Sequence, residues 1–212
     1  MQFLLENILN MLGGLVGVTI GIMTLIGYRH TNSPILFRLS IAFFSISTGF
    51  FMIWVGYTLE DFIFKVGSIN RGIEVVGVIF QTIGYFFLAF SHTIKSFFPK
   101  TRQFRTIAIM PLFIALIHVE HLLRSIAFIL LIYAAIETIM TYATAQKKGT
   151  LIIAIGLGLL ATGEFLGWYS VVFPKSVLYY ISIMIQIFGL ICIFIPIGRI
   201  TLTRSKFTPS DM

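Results

Sequence analysis

The sequence predicts an all-α integral membrane protein with seven transmembrane helices, arranged as two parallel three-helix repeats around a linker helix (3+1+3). Three observations predict this fold class. Hydrophobic residues make up 58% of the 212 residues and charged residues only 11%, which is too little charge to cover the surface of a soluble domain. Seven apolar runs approach the roughly 20 residues that a helix needs to cross a bilayer. A short pattern also recurs in the two halves of the chain.

The predicted spans follow one another through short polar turns. Their approximate ranges are 4–28, 35–59, 72–91, 106–118, 122–145, 151–173 and 177–197. The longest polar loop on its side is predicted at 60–71, and a turn with Glu120, His121 and Arg124 leads into the fifth span. The chain is thus a single membrane domain, divided into a first repeat (1–98), a linker helix (99–121), a second repeat (122–198) and a cytoplasmic tail (199–212).

Three matches in the same order indicate the repeat. The pattern Thr-Gly-x-Phe-x-x-Trp occurs twice and includes both tryptophans, Trp54 and Trp168. The matching ranges are 22–24 with 139–141, 48–54 with 162–168, and 81–84 with 186–189, at offsets of 117, 114 and 105 positions. Parallel three-helix repeats are a known transporter plan. The 3+1+3 plan resembles that of the sugar-transporting SWEET proteins, although no Pro-Gln pair marks the helices of this chain.

The basic residues predict the orientation of the chain in the membrane. Eleven of the fifteen lysines and arginines fall in the turns after the first, third and fifth spans or in the tail, and such residues mark the cytoplasmic side. We therefore expect the N-terminus outside and the tail inside, in the plasma membrane. The net charge of +7 serves insertion and attraction to anionic headgroups. The expected partner is accordingly the lipid bilayer and not nucleic acid.

Polar side chains within the spans form a candidate ligand or proton pathway, because polar groups avoid lipid and turn into the bundle. Its residues are Glu74, Gln81, Tyr85, His92, Glu137, Glu164, Trp168 and Gln186. For the uncharged members, the alternative is interhelical hydrogen bonding that only fixes packing. Glu137 and Glu164 favour a function, since a carboxylate in hydrocarbon is costly unless it is protonated or paired. No basic side chain is expected within their reach, so both are predicted to be neutral acids that can carry a proton.

The cluster His118, Glu120 and His121 is a candidate metal site on the outer side, because imidazole and carboxylate bind zinc, copper or iron. Glu74 or Glu164 could complete it. The spacing is not that of an HExxH motif, and polar residues at a helical hairpin are more often simply hydrated. The seventh span contains no lysine, so a retinal Schiff base is excluded.

Three functions remain compatible with these observations. The first is movement of a small solute or protons through the polar bundle interior. The second is an accessory or structural subunit, in which Gly13, Gly17 and Gly21 of the first span pack against membrane-protein partners or a second copy of the chain. The third is a metal-dependent enzyme at the outer His/Glu cluster. No Ser-His-Asp set, P-loop or Gly-x-Gly-x-x-Gly motif is present, so a catalytic role is the least favoured.

Overall fold

A computed structural model describes residues 2–62, 67–93, 119–172 and 177–205 of the protein. These residues form six helices: α1 (Gln2–Thr31), α2 (Pro34–Phe62), α3 (Gly67–Thr93), α4 (Val119–Ala145), α5 (Lys148–Val172) and α6 (Leu178–Ser205). Each of the six is long and apolar enough to cross a membrane. The prediction of an all-α, multi-pass membrane protein is confirmed. The predicted span at 106–118 lies outside the described residues.

The helices extend further than the apolar runs from which they were predicted. The prediction of a loop over 60–71 is wrong, since α2 continues to Phe62 and α3 begins at Gly67. At the other end of the chain, α6 continues into the predicted tail as far as Ser205. A helix satisfies its own backbone hydrogen bonds, so it can continue into the polar headgroup region beyond the apolar residues.

Two turns of the same geometry join α1 to α2 and α4 to α5. Each turn holds one residue in the left-handed region, Asn32 with φ 51° and Gln146 with φ 49°. The amide of Asn32 donates to the carbonyl of Tyr28, and the amide of Gln146 donates to the carbonyl of Tyr142, both at 2.7 Å. This bond ends a helix by satisfying one of its last free carbonyls. The chain therefore reverses direction within two residues at both places.

The described helices form a ring in chain order. Each helix packs against the next one, and α6 packs against α1. Consecutive helices within each half are antiparallel, because their contacts run in opposite order. The contact pairs are Gly13 with Phe50 and Gly21 with Phe44 for α1–α2, Gly77 with Ile53 and Gly84 with Ile46 for α2–α3, His121 with Trp168 and Phe128 with Phe165 for α4–α5, and Gly163 with Gln186 and Gly156 with Ile193 for α5–α6.

The two helices that close the ring, α1 and α6, run parallel. Glu6 interacts with Tyr180 near the start of α6, and Met23 lies 4.0 Å from the Cβ position of Gly198 near its end. It follows that α1, α3, α4 and α6 all run in one direction. We call the end where α1 begins the N-face and the opposite end the C-face. The end of α3 at Thr93 therefore lies at the C-face, and the start of α4 at Val119 lies at the N-face.

Glycines bring α2 against α3 and α5 against α6 at backbone distance. A Cβ on Gly49 would lie 2.5 Å from Cγ of Gln81, and a Cβ on Gly163 would lie 2.5 Å from Cγ of Gln186. Both glutamines are 3% exposed. Small residues are the usual way in which membrane helices approach each other closely. These crossings hold the two glutamine side chains inside the bundle.

The glycine face of α1 packs against α2. Cβ atoms on Gly13, Gly17 and Gly21 would lie 3.0–3.1 Å from side-chain atoms of Phe50, Ser47 and Phe44, respectively. A helix of the same chain therefore packs on this face, and its packing against partner subunits stays a prediction.

Candidate functional site

Glu164 lies in the interior of the bundle. Its side chain is 1% exposed, and Nε2 of Gln186 on α6 donates a hydrogen bond of 2.9 Å to its Oε1. Roughly 12 Å of helix separates it from the N-face end of α5. The close approach of Gly163 to Gln186 brings the two helices together one residue before Glu164. The backbone crossing thus positions the amide on the carboxylate.

Arg124 gives Glu164 a positive partner. Glu120, His121 and Arg124 lie within the first turns of α4 and not in a turn before it. Arg124 is 3% exposed, with its Nη1 3.6 Å from Oε2 of Glu164 and its Nε donating to Oε1 of Glu120 at 3.1 Å. The expectation that no basic side chain reaches Glu164 is therefore wrong. The guanidinium offsets part of the cost of burying a charged carboxylate, so the neutral acid is no longer the only form that the interior can hold.

Gly167 makes room for the guanidinium of Arg124. A Cβ on Gly167 would lie 2.8 Å from Nη1 of Arg124 and 3.1 Å from Oγ of Ser182. The Ser182 hydroxyl donates to the carbonyl of Gly163 at 3.0 Å. The guanidinium therefore rests on the backbone of α5, between Glu164 and the serine of α6, in space that any larger residue at 167 would fill.

Tyr85 and Gln81 extend this cluster onto α3. Tyr85 is fully buried, and its hydroxyl is close enough to the Glu164 carboxylate to interact with it electrostatically. Within the described part of the chain, that hydroxyl has no partner in good hydrogen-bond geometry, and the Glu164 carboxylate is the acceptor with which it interacts. Buried hydroxyls of this kind are uncommon. Gln81 is one helical turn away on the same helix and packs against Gly49.

A polar region lies between the cluster and the N-face. The hydroxyls of Tyr57 on α2 and Tyr179 on α6 are 3.4 Å apart and connect these two helices across the bundle. Glu74 on α3 interacts electrostatically with both tyrosines and with Arg124. The two phenols and the Glu74 carboxylate thus lie between the N-face and the guanidinium of Arg124.

The predicted metal cluster has a different set of contacts. The ring of His121 meets the ring of Trp168 edge to face, with centroids 6.1 Å apart, and Glu120 is held by Arg124. His118 lies outside the described residues. Within the described ranges, no three His, Cys, Asp or Glu side chains are grouped to hold a metal ion. The metal site at His118, Glu120 and His121 stays a prediction, which elemental analysis of protein purified without a metal-affinity tag would test.

Two predicted pathway residues lie apart from the cluster. Glu137 is 13 positions beyond Arg124 on α4, roughly 20 Å along the helix, and lines a cleft between α4 and α5. His92 is in the last turn of α3, and its side chain is outside the described part. Of the predicted pathway residues, the structure groups Tyr85, Glu164 and Gln186, with Gln81 and Glu74 next to them and Trp168 on the neighbouring α4–α5 contact.

Sequence reasoning misses Arg124 and Gly167 as members of the site. A signal for Arg124 is present, because Glu120 and Arg124 are four residues apart, the spacing of an ion pair along a helix. Gly167 has no comparable signal. It differs from other helix glycines only in which side chain of another helix lies against it.

Comparison with protein-family models, with characterised proteins and with solved structures finds no match. The functional conclusion therefore rests on the chemistry of the buried cluster.

Proposed function

We propose that the protein transports protons, alone or together with a small solute, through the polar interior of its helix bundle. The observation that carries this proposal is the buried pair of Arg124 and Glu164, with Gln186 bonded to the carboxylate. Charged side chains inside a membrane are costly and commonly mark ion or proton pathways. A bundle gains little stability from such a pair, because apolar side chains of similar volume are often as stable. The pair therefore favours a function over packing alone.

Glu164 has the surroundings of a group that can gain and lose a proton. Arg124 and Gln186 stabilise its charged form, whereas burial among apolar helices stabilises its neutral form. Arg124 has a second carboxylate in Glu120, 3.1 Å from its Nε. It therefore keeps a partner when Glu164 is protonated, and neither form leaves the guanidinium unpaired.

A parallel repeat of α1–α3 in α4–α6 is the second part of the proposal, and contacts at equivalent positions support it. A Cβ on Gly84 would lie 2.5 Å from Cγ1 of Ile46, and a Cβ on Gly189 would lie 3.0 Å from Cγ of Leu160. The other equivalent pairs are Gly49–Gln81 with Gly163–Gln186, Ile53–Gly77 with Gly167–Ser182, and Tyr28–Asn32 with Tyr142–Gln146. These pairs use an offset of 114 in the first two helices and 105 in the third. The match of 22–24 with 139–141, at an offset of 117, does not fit this register, and we regard it as chance.

The same register identifies what differs between the two halves. The corresponding pairs are Glu6 with Glu120, Asn10 with Arg124, Phe50 with Glu164 and Gln81 with Gln186. Asn10 and Phe50 are each 1% exposed, so both halves bury these two positions. Only the second half has charges there, and they are of opposite sign. Without Arg124, the charge of Glu164 would be buried without an ion-pair partner, which supports the view that the two residues form one functional unit.

The third part of the proposal is a seventh membrane crossing within 94–118. Thr93 lies at the C-face and Val119 at the N-face, so the chain must return across the bundle between them. Twenty-five residues are enough, because a helix of that length spans roughly 37 Å. The C-face has Arg29, Arg38, Lys147 and Lys148, and basic residues favour the cytoplasmic side. We therefore propose an outside N-terminus in the plasma membrane.

The accessory-subunit and metal-enzyme alternatives have less support. The glycine face proposed for partner subunits is covered by α2. Of the residues in the outer His/Glu cluster, Glu120 is bonded to Arg124.

Proton flux into vesicles that contain the purified protein tests the proposal. An imposed pH gradient should collapse faster than in empty vesicles, and Glu164→Gln should return the rate to that of empty vesicles while the protein still folds. The matched control is Thr162→Val, because Thr162 is exposed on the same helix and, among the described residues, its hydroxyl bonds only to the carbonyl of Gly158. Wild-type vesicles no faster than empty ones, or equal flux in the glutamine variant, would contradict the proposal.

A further inference from the structure

A cleft between α4 and α5 contains polar groups that the Arg124–Glu164 cluster does not use. Its volume is about 190 Å³, and its lining is Glu137, Thr138, Thr141, Thr150 and Ile153. Glu137 lies within the membrane-spanning part of α4, roughly 12 Å from the C-face end of that helix. This depth is too great for a short carboxylate side chain to reach bulk water easily.

The cleft presents hydrogen-bond acceptors. The Thr138 hydroxyl donates its proton to the carbonyl of Ala134 at 2.7 Å, and the Thr141 hydroxyl donates to the carbonyl of Glu137 at 2.9 Å. Because each hydroxyl has already donated its proton, its oxygen can only accept further hydrogen bonds. An ionised carboxylate likewise only accepts hydrogen bonds. Within the described residues, Glu137 forms no ion pair. A cation with N–H donors fits this lining, because it pairs with the ionised form of Glu137 and donates to the hydroxyl oxygens of Thr138 and Thr141.

The cleft is partly open, and it borders the lipid-facing surface of the bundle. Ile136, Ile139 and Met140, which flank Glu137 on α4, are each more than half exposed, at 52%, 51% and 60%. Apolar side chains that are this exposed on a membrane helix face lipid. A ligand can thus reach the cleft from the bilayer as well as from the C-face.

We propose that this cleft binds a primary ammonium group, with the Glu137 carboxylate as its counter-ion and the threonine hydroxyls as further acceptors. An alkylammonium group has three N–H donors and no acceptor, which matches the lining. The cleft is several times larger than the roughly 30 Å³ that one water molecule occupies, so it also accommodates the carbon chain next to the nitrogen. The inference is independent of the proposed proton transport, because the cleft is roughly 20 Å along α4 from Arg124.

The ammonium group can belong to a free alkylamine or to the headgroup of phosphatidylethanolamine, and two pairs of probes distinguish these sources. The first pair is methylammonium and tetramethylammonium, which have the same charge but differ in N–H donors. The second pair is phosphatidylethanolamine and phosphatidylcholine with identical acyl chains. Binding of each probe to the full-length protein in nanodiscs is measured by native mass spectrometry for the lipids and by the shift of the thermal unfolding midpoint for the free cations.

The wild-type protein should prefer one member of a pair, methylammonium or phosphatidylethanolamine, by about tenfold over its partner, because a charge-assisted hydrogen bond is lost in the partner. Glu137→Gln should remove this preference. Thr141→Val should weaken it and leave unfolding without ligand unchanged, since Thr141 is exposed and, in the described ranges, its hydroxyl bonds only within α4. A preference for methylammonium identifies a free amine, and a preference for phosphatidylethanolamine identifies a lipid.

Three results would overturn the assignment. Equal binding within both pairs would show that N–H donors are not recognised. Stabilisation by sodium or potassium equal to that by methylammonium would show that the cleft selects charge alone. An unchanged preference in the Glu137→Gln variant would show that the carboxylate is not the counter-ion.

Discussion

At the scale of single residues, the depth of Glu164 within an apolar span predicts that its side chain is buried. The side chains that surround it come from residues that are distant in sequence. A carboxylate in the middle of an apolar span has to turn inward, and Glu164 is 1% exposed. Its partner Arg124 is 40 positions away on α4. From hydropathy alone, the helix is predicted to begin at Leu122, which places Arg124 at its outer end. In the structure the helix begins earlier, at Val119. The sequence therefore predicts the buried acid and not its ion pair.

Gly167→Ala should destabilise the protein by disturbing the ion pair. The added methyl group would lie 2.8 Å from Nη1 of Arg124, and overpacking of this kind typically costs about 1–3 kcal/mol. Gly158→Ala on the same helix is the control, because no residue of the described part lies within 4 Å of its Cβ position. That variant should be neutral or more stable by up to about 1 kcal/mol. The free energy of unfolding in mixed micelles measures both, and equal values for the two variants would disprove the role of Gly167.

Glu164→Leu distinguishes a functional acid from one that only packs. The variant leaves Arg124 with Glu120 and removes a buried carboxylate, so we expect a stability change within about 1.5 kcal/mol of the wild type, together with loss of proton flux. The two readouts are unfolding in micelles and pH-gradient collapse in vesicles. Retention of flux at the wild-type rate would show that Glu164 serves only packing.

At the scale of helices, two equivalent glycine contacts, one between α2 and α3 and one between α5 and α6, determine how closely these helices approach each other. Gly49 of α2 and Gly163 of α5 each admit the side chain of a glutamine from the next helix. The sequence indicates both crossings through the Thr-Gly-x-Phe-x-x-Trp pattern and the two mid-helix glutamines. It does not indicate how far the helices extend, because residues at the membrane surface are polar and yet remain helical.

Gly49→Ala and Gly163→Ala should have similar effects. In each variant the new Cβ would lie 2.5 Å from Cγ of a glutamine and within 3.1 Å of a backbone carbonyl oxygen of the same partner helix. Each should therefore lose about 1–3 kcal/mol of unfolding free energy. The control is Gly72→Ala near the start of α3, because no described residue lies within 4 Å of its Cβ position. A large loss at one of the two crossings and none at the other would argue against equivalent packing in the two halves.

At the scale of the whole molecule, the directions of the helices are the observation with the widest consequence. Both α3 and α4 run from the N-face to the C-face, which supports the proposed seventh crossing between Thr93 and Val119. The sequence predicts that crossing from a short apolar run at 106–118. Hydropathy predicts how many apolar runs the chain has. The order of the helices around the ring depends instead on contacts such as that of Gly198 with Met23, which no local pattern encodes.

Cysteine labelling in cells measures the orientation. After replacement of Cys192, a cysteine at Val119, which is exposed at the N-face, should react with an impermeant thiol reagent in intact cells. A cysteine at Lys147, in the C-face turn, should react only after the cells are broken open. The opposite pattern would invert the proposed orientation, and labelling of both positions in intact cells would show that α4 does not cross the membrane.

The most direct test of the account is the energetic coupling between Arg124 and Glu164, measured as unfolding free energies of Arg124→Met, Glu164→Gln and the double variant in mixed micelles. Arg124→Met leaves a buried carboxylate unpaired and should cost about 3–5 kcal/mol. Glu164→Gln should cost less, because Arg124 remains bonded to Glu120. If the two side chains form a buried ion pair, the double variant should recover at least about 2 kcal/mol of the loss seen with Arg124→Met alone. Losses that add within about 0.5 kcal/mol would show that the two residues do not form a buried ion pair.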